Sequence, residues 1–325
     1  MKWIKHLSIF CLCIVLLESL AQFRYQQNNI WLPMGLRKNI AHNSLESHRL
    51  NKNFSGPSIT GIPFYTDNYG FRCSKGSINK QLHKTSSILL AGDSICFGMY
   101  EPIENSIGYY FNQNISKLNW NCLIQAIPGG SQAMTQDHLF GADSLAKQTK
   151  AKWILHSITH YDSVDNILYL QDKIKLNKRS ERYLRKIKTS TIPYFIQMLQ
   201  VKVRDFLLKD NPKNLLFADT LSRDNSSHTV IKEFYDLCKV NSIKLAFFFI
   251  PDEGELLSPS LNEQNEFEPF FKELNIQYFD LRLALIRDNT IDLKKVFRDD
   301  KIHLSKYGSL KSAEKLSIWF ESLKP

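Results

Sequence analysis

Five short apolar runs, almost unbroken by polar residues, constrain this chain more than any other feature: 87–91 (SILLA), 122–127 (CLIQAI), 153–158 (WILHSI), 243–250 (IKLAFFFI) and 276–280 (IQYFD). A strand with one face in water alternates apolar and polar residues, whereas a strand covered on both faces reads as a continuous apolar run. Helical stretches separate the runs, at 106–114, 135–150, 229–240, 266–274 and 306–323. Strands that alternate with helices are joined by crossovers and pair in parallel. The expected fold is therefore α/β, a doubly wound, mostly parallel five-stranded sheet with helices on both faces. No internal repeat interrupts this pattern.

The remaining segments frame that core. Lys2 and Lys5 precede an 11-residue apolar run, Leu7 to Leu17, followed by Ser19-Leu20-Ala21, which has the order of a secretory signal cut after residue 21. A bilayer-spanning helix needs about 20 apolar residues, so a retained membrane anchor is the second reading of 1–21. Either way the chain is expected to be exported to the periplasm or beyond the cell. Residues 22–84 are polar and irregular and read as an arm without a core of its own, and 85–325 as the main domain. An insertion at about 164–227 carries a basic stretch, KIKLNKRSERYLRKIK, and then an apolar helix-like one. It reads as a lid with a basic face or as a solvated helix pair covering the sheet.

Charge and cysteine usage bound the chemistry. Lys and Arg number 42 against 32 Asp and Glu, a formal net charge of +10, which favours anionic membrane or glycan surfaces without making the chain a nucleic-acid binder. Beyond the leader stand Cys73, Cys96, Cys122 and Cys238. An oxidising compartment permits disulfides among them, and four buried thiols are the other reading. No CxxC pair, HExxH or Cys/His cluster has metal-ligand spacing, so no metal and no cofactor is expected.

Two motifs carry chemistry. Gly92-Asp93-Ser94 follows the first apolar run, where the chain must turn sharply into a helix, and the carboxyl ends of open α/β sheets are where ligands bind. Asp300-Lys301-Ile302-His303 precedes the last helical stretch. A serine needs a base to take its proton, and the base needs a carboxylate to fix its tautomer, which an acid three residues before a histidine supplies within one loop. Both motifs also read as helix caps, Asp93 or Ser94 for the one and Asp300 for the other.

Taken together, the two motifs resemble the SGNH hydrolase superfamily, also called GDSL esterases and lipases, over about residues 60 to 323. Gly92-Asp93-Ser94 resembles its first block, and Asp300 to His303, continued by Leu304-Ser305 and Gly308, its last. Asn68-Tyr69-Gly70-Phe71-Arg72 is similar to a segment of a bacterial exported branch. The resemblance implies a flavodoxin-like three-layer fold and a triad in which Ser94 is the nucleophile, His303 the base and Asp300 its orienter. It implies an oxyanion site formed by the Ser94 backbone and, within Pro128-Gly129-Gly130, by Gly129. The family's third block, Gly-x-Asn-Asp, is altered: Thr159-His160-Tyr161-Asp162 stands there, with Tyr161 where the donor Asn belongs. Tyr161 and His160 are the replacement donors considered, and Asn166 lies nearby at the wrong offset. The implied activity is hydrolysis of acyl esters of carbohydrate or lipid. Acetyl transfer onto a polysaccharide through the same triad, and a degenerate protein that only binds glycan or membrane surfaces, are the alternatives.

Overall fold

The computed structural model describes residues 50, 52–57, 62–77, 87–128, 130–141, 144–160, 162, 166, 170, 226–257 and 267–323. Residues 1–21, most of the stretch 22–84 and nearly all of the insertion at 164–227, including its basic run, lie outside them.

The apolar runs form one sheet. Strands β3 (Ser87–Ala91), β4 (Asn121–Ile124), β5 (Ala151–Ile158), β6 (Lys244–Phe249) and β7 (Gln277–Asp280) are all parallel and lie in the order β4-β3-β5-β6-β7. The reason is visible in their burial. All five residues of β3 are buried, and neighbours along each strand point into different halves of the core. Ile88 and Leu90 of β3 and Ala246 and Phe248 of β6 belong to one apolar cluster, while Leu89 and Ala91, Leu245 and Phe247 belong to the other.

Helices cover both faces. Ile107–Ile115 (α2), Leu281–Ile286 (α8) and Lys306–Ser322 (α9) pack on the first cluster, where the Phe320 ring meets Phe111, Trp120 and Trp153 edge-on at 5.6–5.9 Å. Gln132–Phe140 (α3), Leu145–Gln148 (α4), Ser226–Val240 (α5) and Glu268–Glu273 (α7) supply Leu139, Leu145, Phe234 and Phe271 to the second. A fully buried Phe such as Phe234, Phe247 or Phe271 contributes on the order of 2–3 kcal/mol of transfer free energy. The helix expected over 135–150 is two helices, because the chain turns extended at Gly141 and re-enters helix after Ser144, which sits in the left-handed region.

Within 22–84, the described residues form a short antiparallel pair, β1 (Ser55–Pro57) and β2 (Pro63–Tyr65), and bury Leu50, Phe64 and Phe71 in the main core. Arg72 adds an antiparallel bridge to Ile124. Cys73, Cys96, Cys122 and Cys238 are all free thiols, so the disulfide reading is not realised among them. Burial pushes each thiol up, that of half-buried Cys73 to about 12 with the nearby Asp67 adding to it.

The strand order has one functional consequence. From β3 the chain steps to β4 on one side, then returns past β3 to β5 on the other. Ligand crevices of open α/β sheets lie at such a reversal, outside the carboxyl ends of the strands. The residues that follow β3, β4 and β5 therefore share one crevice edge.

Candidate active site

The turn after β3 is built for Ser94. Gly92 has φ +145°, and a Cβ there would stand 1.8 Å from the Ser157 Oγ of β5, so only glycine fits. Asp93 then caps a one-turn helix, Ser94–Phe97 (α1), its carboxylate accepting the N–H groups of Ile95 (2.9 Å) and Cys96 (3.4 Å) and not that of Ser94. Loss of solvent raises the Asp93 carboxyl above its ordinary value, partly countered by those N–H groups and by His303. Asp93 is thus the helix cap that its position allows. Ser94, first in the helix, carries its hydroxyl past the sheet edge.

The far end of α1 is tied down by Arg72. Its guanidinium donates to the carbonyls of Phe97, Gly98 (2.7 Å) and Glu101 (2.6 Å), and it lies beside the stacked rings of Phe64 and Phe97, 4.2 and 4.9 Å from their centroids. Burial lowers Arg72 to about 9, with Glu104 and Glu101 countering, so it stays charged at neutral pH.

The histidine arrives from the opposite end of the chain on a self-organised loop. Phe297 and Leu304 pair as an antiparallel bridge, and the Arg298 N–H donates to the His303 carbonyl at 2.9 Å. Asp300 Oδ1 accepts the N–H groups of Ile302 (3.0 Å) and His303 (2.9 Å), while Oδ2 faces His303 Nδ1 at 2.9 Å. Partial burial works to raise the Asp300 carboxyl, but the two N–H groups and the imidazole prevail and hold it below the usual value. Below the loop Ser305 caps α9 through the Gly308 N–H (3.0 Å). A Cβ on Gly308 would stand 1.9 Å from the Val296 carbonyl, so the helix packs against the loop as only glycine permits.

These two pieces meet. Ser94 Oγ lies 2.9 Å from His303 Nε2, completing the series Asp300 Oδ2, His303 Nδ1, His303 Nε2, Ser94 Oγ, with both links at 2.9 Å. A carboxylate accepts only, so Nδ1 carries the ring proton and Nε2 presents a lone pair to the hydroxyl. The His303 side chain is only 16 % exposed. By contrast His156, fully buried within β5, is lowered to about 4 by burial and stays neutral beside Thr135 Oγ1 (3.1 Å), a structural histidine.

The loops after β4 and β5 border the same edge. Ile127 donates its N–H to the Gly92 carbonyl (2.9 Å), and the Gly130 N–H is taken by the Ile127 carbonyl (2.7 Å). Gly129 and Tyr161 lie outside the described residues. Thr159-x-x-Asp162 carries one arm of a capping box: Asp162 Oδ2 accepts from the Thr159 N–H (2.6 Å) and Oγ1 (2.8 Å), and its Oδ1 from Gln132 Nε2 (2.5 Å). Asn166, fully buried, is taken up in the same network, donating to Gln132 Oε1 (2.6 Å) and accepting the Ala133 N–H (3.0 Å). His160 turns the other way, its Nδ1 3.4 Å from Glu255 and its Nε2 4.0 Å from Asp252.

His160, Asp252 and Glu255 are also the one grouping of cation-ligand type among the described residues. The two carboxylates face different ring nitrogens. Each spends its other oxygen on the capping box of the helix Glu253–Leu257 (α6), through the Asp252 and Glu255 N–H groups at 2.8 Å. That geometry ties His160 to the start of α6.

Three residues at the site have no motif to announce them. The Tyr100 ring stands edge-on to His303, centroids 4.5 Å apart, and Arg298 joins Tyr100 and Glu101 from the histidine loop. These contacts span 197 and 198 residues, and no local pattern marks them. The Thr159-x-x-Asp162 box, in contrast, has a readable spacing.

No protein-family model matches the chain, and no curated protein does. Solved structures that are similar include a G-D-S-L family protein from Desulfitobacterium hafniense DCB-2, 17% identical over 72% of this chain and 98% of that one, with a TM-score of 0.43. Another is the psychrotrophic esterase EstA from Pseudoalteromonas sp., 10% identical over 73% of this chain and 98% of that one, TM-score 0.44. A third is the acetylxylan esterase Axe2 from Geobacillus stearothermophilus, 12% identical over 74% of this chain and 94% of that one, TM-score 0.43.

Proposed function

We propose that the chain is a serine ester hydrolase of SGNH type. The observation that carries this reading is the series from Asp300 through His303 to Ser94, brought together at the switch point of the sheet with both hydrogen bonds at 2.9 Å. Ser94 Oγ attacks the ester carbonyl as His303 Nε2 takes its proton. Asp300 holds the ring by Nδ1 and stabilises the imidazolium that forms. Collapse of the tetrahedral intermediate breaks the bond to the alcohol oxygen, which receives the proton from Nε2. Water then attacks the acyl-enzyme with the same base, releasing the acid and restoring Ser94. The oxyanion falls to backbone donors, the Ser94 N–H, which Asp93 does not engage, and the Gly129 N–H.

The proposed substrates are acetyl or other short acyl esters of carbohydrate or lipid, and the proposed site of action is outside the cytoplasm, reached through residues 1–21. The positive net charge supports work near an anionic glycan or membrane surface. Treatment with a p-nitrophenyl phosphonate followed by mass analysis tests the chemistry: the expected adduct is on Ser94, and an unlabelled Ser94 overturns the reading. Release of p-nitrophenol from its acetate without added sugar separates hydrolysis from obligatory transfer. Amino-terminal sequencing of the fractionated protein tests export, an intact terminus in the cytosol being the adverse result.

A further inference from the structure

Arg298 grips both halves of the site at once. Its backbone N–H holds the His303 carbonyl at 2.9 Å, while its Nη1 reaches across to the Glu101 carboxylate (2.5 Å) and the Tyr100 carbonyl (3.2 Å). Its guanidinium carbon lies 5.8 Å from the centroid of the Tyr100 ring, which packs T-shaped with the imidazole of His303 at 4.5 Å between centroids. Glu101 is fixed from the other side as well, because Arg72 takes its carbonyl while holding the end of α1. Two arginines thus bracket the segment from the end of α1 to Glu101, one from the segment preceding β3 and one from the histidine loop.

We infer that Arg298 is a positioning residue, which through Glu101 and Tyr100 sets the distance between Ser94 Oγ and His303 Nε2. The inference rests on the ester-hydrolase reading above. The nucleophile and its base come from opposite ends of the chain, so their separation is set by whatever joins the loops that carry them. The Glu101 side chain is 14 % exposed and that of Arg298 39 %. An ion pair with one partner this exposed adds little to stability. Its leverage on rate is larger, since a misplacement of about 1 Å in a catalytic geometry costs on the order of 10²-fold.

The test uses Arg298→Met, Arg298→Lys and Glu101→Gln in the full chain, with p-nitrophenyl acetate turnover, thermal melting and the NMR resonance of the His303 ring C–H, which lies in the ring current of Tyr100. The expected result is that Arg298→Met lowers kcat at least about tenfold with KM within twofold and little change in melting temperature. Arg298→Lys, which keeps the charge and reaches one acceptor, should recover part of that loss, and the His303 resonance should move in Arg298→Met. A folded Arg298→Met with wild-type kcat and an unmoved His303 resonance overturns the inference. So does a kcat loss that tracks the loss of melting temperature across the variants. If Arg298→Met does not fold, Glu101→Gln breaks the same contact from its less exposed side, and the same outcomes apply. If the unaltered protein shows no Ser94-dependent turnover of any ester, the ester-hydrolase reading fails by itself. The His303 resonance then decides the brace, a shift supporting it and no shift overturning it.

Discussion

The turn after β3 and the turn after β5 leave the same edge of the sheet on adjacent strands, and they use their polar side chains in opposite ways. After β3, Asp93 satisfies the helix start so that Ser94 need not, and the hydroxyl is left to face His303. After β5, Thr159, Asp162 and Asn166 turn inward and spend their groups on one another, on Gln132 and on the Ala133 N–H. A polar residue beside a crevice becomes chemistry only when its neighbours have already met the demands of the backbone. Where it meets those demands itself it is scaffold, costly to remove and indifferent to substrate.

The largest expected effect falls on the first turn. Ser94→Ala and His303→Ala should each lower turnover by at least about 10³-fold, and the double change should cost little more than the worse single one, because the two act as a unit. Stability should hold in both, as Ser94 is a partly exposed helix residue at which alanine is well tolerated. Initial rates on an acetate ester beside melting curves check this. Retained turnover in Ser94→Ala would erase the contrast between the two turns.

The second turn should respond in the reverse sense. Asp162→Asn replaces an acceptor oxygen by a donor NH₂ where the Thr159 N–H, Thr159 Oγ1 and Gln132 Nε2 all donate, so at least one buried donor loses its partner. Each such loss costs about 1–3 kcal/mol. Urea denaturation should show a stability drop of that size, with kcat near wild type in the protein that remains folded. A normal stability with strongly reduced kcat would mean that this turn holds the oxyanion after all.

How far the sequence discloses this arrangement depends on the range of each interaction. Strand β3 is the run SILLA to the residue, because a strand buried on both faces advertises itself through continuous apolar character. Ser94, Asp300 and His303 are legible because each half of the triad is local: a strand-to-helix turn, and an acid three residues before its histidine. The break at Gly141 is hidden by apolar residues that continue on both sides of it, Leu139 and then Leu145 and Ala146. The clamp of Arg298 on Glu101 is silent, since nothing within either segment records a partner 197 residues away. Thr159-x-x-Asp162 is an intermediate case. Its capping-box spacing is plain in the sequence, but it coincides with the stretch where the family resemblance would place an asparagine, and only the direction of the Asp162 side chain separates the two readings.

The smallest effect sharpens the comparison most. His160 belongs to the second turn yet points toward α6, where Glu255 and Asp252 flank its two ring nitrogens at 3.4 and 4.0 Å. With the side chain 38 % exposed, the pairing adds at most about 1 kcal/mol after solvent screening. His160→Gln should therefore leave kcat within about threefold of wild type and the melting temperature within a few degrees. Loss of a true oxyanion donor costs on the order of 10²–10³ in kcat. A drop of that size in His160→Gln would assign the imidazole to the oxyanion, and Tyr161→Phe, assayed in parallel, asks the same of the neighbouring phenol. Wild-type rates in both leave the oxyanion to the Ser94 and Gly129 backbone, as expected of a crevice whose third loop has given Thr159, Asp162 and Asn166 to the fold.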